Sequence, residues 1–167
     1  MRKIVLLFLV FVFLSTGVAW AGGGIVVFDR QQVAAESEAL KAAREALDSK
    51  FGAQRNELEK ERAALESRAM AFQRITPTEQ QAQDFMRQQE AFSEKAQAFL
   101  RLLQADEARV FGDIEMLIDR AARELAGRKG YVLILDSAAA LYVDPKLDVT
   151  ADMLDEVNAQ WKKETGQ

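Results

Sequence analysis

Neither cysteine nor histidine occurs among the 167 residues, and proline occurs twice. Without cysteine there is no disulfide, no thiol nucleophile and no side chain to carry a lipid; without histidine there is no imidazole to move a proton near neutral pH. Together the two absences remove Cys/His metal sites and the Ser-His-Asp and Cys-His catalytic systems. Neither G-x-x-x-x-G-K-[ST] nor G-x-G-x-x-G is present, so nothing suggests that nucleotide hydrolysis drives the function. Carboxylates are abundant, but in the long middle segment they lie among Lys and Arg at helical spacing, the pattern of a solvated helix face. The expectation is therefore a non-enzyme that needs no cofactor and no metal.

Arg2 and Lys3 precede an apolar run over residues 4–14, and Ala19-Trp20-Ala21 stands before three glycines. Basic start, short apolar stretch and A-x-A site form the layout of a secretory signal peptide over residues 1–21, with cleavage expected after Ala21. The competing reading is a retained membrane anchor, because weak apolar character continues to Ala21 and approaches the ~20 residues that span a bilayer. Cleavage removes two of the 22 basic residues and none of the 26 acidic ones, leaving a net charge of −6. An acidic exported chain is a poor ligand for phosphate backbones, so nucleic acid is not an expected partner.

The remaining sequence divides into a small base split by a long insertion. Residues 22–35 open the base, with a strand of branched residues over 25–29. Residues 36–127 form a helical arm, in which residues 34–74 hold no proline and the single glycine Gly52. Thr76, Pro77 and Glu79 read as a helix stop followed by a fresh N-terminus, which sets the tip near residues 75–78. Residues 128–167 complete the base: a buried strand at 131–136, a brief third strand at 141–143 stopped by Asp144-Pro145, and a last helix capped by Thr150. The expected fold class is α+β and mostly helical, with the arm inserted between strand 1 and strands 2 and 3.

Apolar residues on the outgoing limb, Leu40, Leu47, Phe51, Leu58, Leu65 and Phe72, advance in steps of seven and four, as in a coiled-coil seam. The returning limb repeats the pattern through Phe85, Phe92, Phe99, Leu103 and Val110, and reflection about residue 75 pairs Leu65 with Phe85, Leu58 with Phe92 and Phe51 with Phe99. An antiparallel coiled-coil hairpin follows, reaching ~55 Å at 1.5 Å per residue. Heptad spacing makes Phe72, Phe85, Phe92 and Phe99 seam residues first. Met70, Met86 and Leu100 lie off or at the edge of the seam, where flexible thioethers suit varied partners. Candidate partner-contact residues are therefore Met70, Phe72, Phe85, Met86, Phe92 and Leu100.

Three short strands and one helix bury little core and leave sheet edges unpaired, a defect that self-association would remedy. Ile25, Val27, Val132, Ile134, Leu141 and Val143 are candidates for that interface, with intramolecular core as the alternative. Two function classes are open at this point. One is a chaperone that holds extended apolar chains by many weak contacts. The other is an exported coiled-coil scaffold or adaptor for one dedicated folded partner, possible even with an uncleaved N-terminus.

Phe92-Ser93-Glu94-Lys95-Ala96-Gln97-Ala98-Phe99 on the returning limb, Tyr131-Val132-Leu133-Ile134-Leu135-Asp136 followed by Ala138-Ala139-Ala140-Leu141-Tyr142, and Asp148-Val149-Thr150-Ala151-Asp152-Met153-Leu154 lie in the order and spacing of one family. The sequence resembles the Skp/OmpH family of periplasmic chaperones over essentially the whole mature chain. The resemblance implies a homotrimer with a central β body, three helical arms around a cavity, and unfolded outer-membrane proteins held there without ATP. Members of this family are typically basic, whereas this mature chain is acidic, which disfavours contact with anionic membrane or lipopolysaccharide.

Overall fold

A computed structural model describes residues 24–166. The expected signal peptide and its cleavage after Ala21 lie outside the described residues. Strand β1 (Ile25–Phe28) is followed by the short helix α1 (Arg30–Glu36), the long helices α2 (Glu38–Arg74) and α3 (Glu79–Lys129), strand β2 (Leu133–Asp136) and helix α4 (Thr150–Thr165). The two strands are parallel, with Ile25 opposite Leu133 and Phe28 opposite Asp136. A parallel pair requires a long crossover, and here the crossover is the helical hairpin itself. The class is α+β and mostly helical, with the arm inserted between the strands as the sequence indicates.

Local chemistry sets the joints. The Asp29 carboxylate accepts from the Gln32 amide at 2.8 Å and starts α1. Ser37, fully buried, then interrupts the helix expected to run unbroken over residues 34–74. Its hydroxyl accepts from the Leu40 amide at 3.1 Å and donates to the Ala34 carbonyl at 2.9 Å, capping α2 while closing α1. The tip also differs in detail. Thr78, not Thr76, caps α3, and Gln81 rather than Glu79 completes the reciprocal box, its side chain accepting from the Thr78 amide at 2.9 Å. Gly130, at φ 74°, ends α3 in the left-handed region that a side chain would resist.

Two expectations for the base are corrected. Residues 141–143 form no strand; between the 3-10 turns Ser137–Ala139 and Pro145–Leu147 the chain is irregular, and Leu141 is fully exposed. β1 is already flanked, by β2 on one side and by a bridge from Val27 to Asp148 on the other, so the 141–143 run has no place beside it. Thr150 does not cap α4. Its hydroxyl accepts from the Asp29 amide at 2.9 Å and donates to the Asp148 carboxylate at 2.6 Å, joining the start of α1 to the start of α4. The Thr150 hydroxyl, and then its amide, hold the Asp148 carboxyl below the usual carboxylate range.

The main core gathers where the roots of the two limbs meet the base, and Phe51 and Phe99 are buried further out along the arm seam. Val26 and Phe28 of β1 and Val33 of α1 pack with Leu40, Ile114, Leu117, Ile118, Leu125, Met153 and Val157. Leu125 is 1 % exposed. Leu125→Ala is expected to lower the unfolding free energy by about 2–5 kcal/mol, since a cavity in so small a core is hard to collapse. Urea denaturation followed by circular dichroism measures this, and a loss under about 1 kcal/mol would contradict this account of the core.

Candidate functional site

Among the described residues no group of acidic side chains could hold a metal ion, and no helix is long and apolar enough to cross a membrane. What the structure offers instead is two apolar surfaces, one along the arm and one on the sheet.

Along the arm, Phe51 meets Phe99 edge-to-face with ring centroids 5.8 Å apart, and Phe72 meets Phe85 at 5.4 Å. Phe72 and Phe85 thus direct their rings at each other. The Arg68 guanidinium covers both, at 5.5 and 5.9 Å from the ring centres, and donates to Gln88 at 2.7 Å. Phe92 is half-buried and shares a groove of about 350 Å³ with Leu65. Met70, Met86 and Leu100 are exposed by 51–60 %. Of the six candidates, three therefore stand open to a partner, one borders a groove and two fill the seam.

The limbs interleave, so each seam residue sits between two on the opposite helix. Reflection about residue 75 captures one of those two neighbours, as in Phe51 with Phe99, and misses the other, as in Phe72 with Phe85. With α2 ending at Arg74 and α3 starting at Glu79, the centre of the hairpin lies close to residue 77. Polar pairs between the limbs centre one residue further, at 78: Lys50 with Asp106, Glu61 with Lys95 at 3.0 Å, and Arg68 with Gln88. These pairs are exposed and add little stability. Carbodiimide crosslinking is expected to join Glu61 to Lys95 within one chain. A peptide map joining Lys95 to Glu57, the carboxylate nearest its mirror position at residue 55, would show the register set by residue 75.

The sheet carries the second surface. Leu133 and Leu135 of β2 are about two-fifths exposed, Ile25 is half exposed, and Val132, Leu141 and Tyr142 project further still. Ile134 alternates with Leu133 and Leu135 and packs against the core. Val27 is buried at 6 % exposure, beside the segment that bridges to it at Asp148. Within the single chain Val27 is therefore buried and Ile134 packs against the core, which is the intramolecular alternative for these two. Val143 is partly buried. Sequence reading passed over Leu133, Leu135 and Tyr142. An alternating strand has two faces, and its residue types alone did not say which one met the helices.

The outer membrane protein (OmpH-like) family matches residues 24–157. This chain belongs to that family. It is 31 % identical over 117 residues to chaperone protein Skp of Yersinia enterocolitica, covering 66 % of this chain and 71 % of that one. It is 26 % identical over 145 residues to chaperone protein Skp of Photorhabdus luminescens, covering 83 % and 88 %. The crystal structure of a candidate OmpH-like outer membrane chaperone from Caulobacter crescentus CB15 superposes with a TM-score of 0.67 at 21 % identity, over 83 % of this chain and 85 % of that one. At that identity the likeness establishes the shared OmpH-like fold of a small β element with long helices.

Proposed function

We propose that this OmpH-like protein is an ATP-independent periplasmic chaperone that holds unfolded outer-membrane proteins and keeps them from aggregating. The observation that carries this reading is the division of labour in the chain: the main core gathers around the base and the roots of the limbs, while the outer arm, closed by a thin seam, displays methionine and leucine side chains with more than half of their surface exposed. Such an arm contributes little to folding the base, so its apolar exposure calls for a partner. The Skp chaperones among its relatives point the same way.

Assembly into a homotrimer through the sheet is part of the proposal. It covers Ile25, Val132, Leu133, Leu135 and Leu141, supplies a partner for the free edge of β2, and places several arms around one space. Many weak apolar contacts then sum to useful affinity without a tight site. The chemistry required is desolvation alone, in keeping with a protein that catalyses no reaction. With a mature charge of −6, holding depends on apolar contact more than on electrostatic capture, so raising the salt weakens it only modestly.

The test is light scattering after a urea-unfolded outer-membrane β-barrel is diluted into buffer, with and without the protein, in the absence of nucleotide. Suppression of aggregation at about one assembled chaperone per client is the expected result. Undiminished scattering would refute the holdase reading, and selective retention of a single folded protein would favour the scaffold in its place.

A further inference from the structure

The two flanks of the arm differ. On one, polar side chains reach across from limb to limb: Lys50 to Asp106, Glu61 to Lys95 and Arg68 to Gln88. These contacts bridge the seam along the outer and middle arm; nearer the root the same flank holds a groove of about 280 Å³ lined by Ala43, Val110 and Met116. Along α3 the bridging positions 88, 95 and 106, together with Leu102, recur at steps of seven and four and so form one stripe.

The opposite flank has no such bridges among the described residues and is open. The groove holding Leu65, Gln89 and Phe92 lies there, and nearer the root a second groove of about 640 Å³ is lined by Leu40, Arg44 and Phe111. Gln89, Leu100 and Phe111 follow one another by eleven residues, close to three full helical turns, so Leu100 sits on the line joining the two grooves. Met86 lies one turn before Gln89, and Met70 one turn beyond the groove-lining Glu66. All three exposed candidates from the sequence, Met70, Met86 and Leu100, thus fall on this open flank, joined by Phe111, which is 61 % exposed.

On the open side, Arg62 pairs with Glu66 at 2.8 Å and Arg55 with Asp48 at 3.2 Å, both within α2. Within α2 the charges on this flank are balanced, while on α3 Glu107 stands between Leu100 and Phe111 at helical spacing, so the flank presents separated apolar anchors rather than a track of one charge. From Met86 to Phe111 the apolar side chains span about 37 Å along the helix, the length of about eleven residues of extended chain. Separated anchors over shallow grooves fit an extended polypeptide with scattered apolar side chains; a compact ligand reaches only one of them.

We infer that client chains lie along this open flank, on Met70, Met86, Leu100 and Phe111, and that the bridged flank does not contact them. The inference rests on the holdase reading above. Leu100 and Leu102 provide the control, since they are exposed by 51 % and 57 %, stand two residues apart, and face opposite flanks. Exposure alone cannot distinguish them.

The experiment places a photoactivatable benzoylphenylalanine at position 86, 100 or 102 of the full-length mature protein and irradiates each in complex with an unfolded outer-membrane β-barrel. Crosslinks from positions 86 and 100 are expected to exceed those from position 102 by about tenfold, as for anchors against near-neutral neighbours. In parallel, Leu100→Gln with Phe111→Gln is expected to weaken client binding by about tenfold, and Leu102→Gln to change it less than twofold. Equal labelling of both flanks, or labelling mainly from position 102, would overturn the sidedness while leaving the holdase reading intact. If the unmodified protein suppressed no aggregation, the holdase reading would fall, and the sidedness with it.

Discussion

Replacing Leu133 and Leu135 together with lysine is expected to turn the assembled protein into folded single chains. Both side chains point away from the core and are 43 % and 39 % exposed in one chain, so the long lysine stems can reach water and the fold of the base is spared. In an assembly that packs this face against its copies, the same lysines would bring several like charges into a dry interface, which costs several kcal/mol per uncompensated charge. Sedimentation at micromolar concentration should give a threefold drop in mass with unchanged far-ultraviolet circular dichroism. An unaltered mass would mean that the apolar sheet face is not the assembly surface. The neighbouring change Ile134→Asp is a poor substitute, because Ile134 packs on the core and its loss would unfold the chain whatever the assembly.

Removing the outer arm, residues 61–93, and closing the limbs with a short turn is expected to leave the base folded and assembled and to abolish client holding. No member of the core cluster lies between Leu40 and Val110, so the deletion removes only contacts internal to the hairpin. The retained Phe51–Phe99 contact keeps the stump closed. Because sites without shared contacts act independently, the stability of the base should change by less than about 1 kcal/mol. Met70, Met86 and the Leu65–Phe92 groove would be gone. Melting or dissociation of the truncated protein would show that the arm helps to hold the base together.

The arm was legible in the sequence because its determinants are local and repeated. Seven-residue steps from Phe51 to Phe72 and from Phe85 to Phe99 mark two limbs whatever the rest of the chain does. Their register was less legible. An interleaved seam offers each phenylalanine two neighbours, and only the helix ends at Arg74 and Glu79 choose the centre. Ser37 was hidden for a different reason: its break depends on burial against α4, where the Glu38 amide donates to Asn158 at 2.9 Å, and no local signal carries a contact 120 residues away. The base was least legible. Residues 141–143 have strand composition yet pair with neither strand of the chain, and the faces of β2 are decided by helices distant in sequence. On the arm, exposure of Met70, Met86 and Leu100 follows from their positions off the seam, whereas the polar bridges that close one flank depend on how the two limbs meet.

The central claim is that the base assembles the protein while the arm holds the client. The most direct measurement compares intact and arm-truncated protein, both confirmed as assemblies of the same subunit number, for suppression of light scattering by a urea-unfolded outer-membrane β-barrel. The account predicts near-complete suppression by the intact protein and none above buffer by the truncated one. Equal protection by the two would contradict it and move client binding to the base.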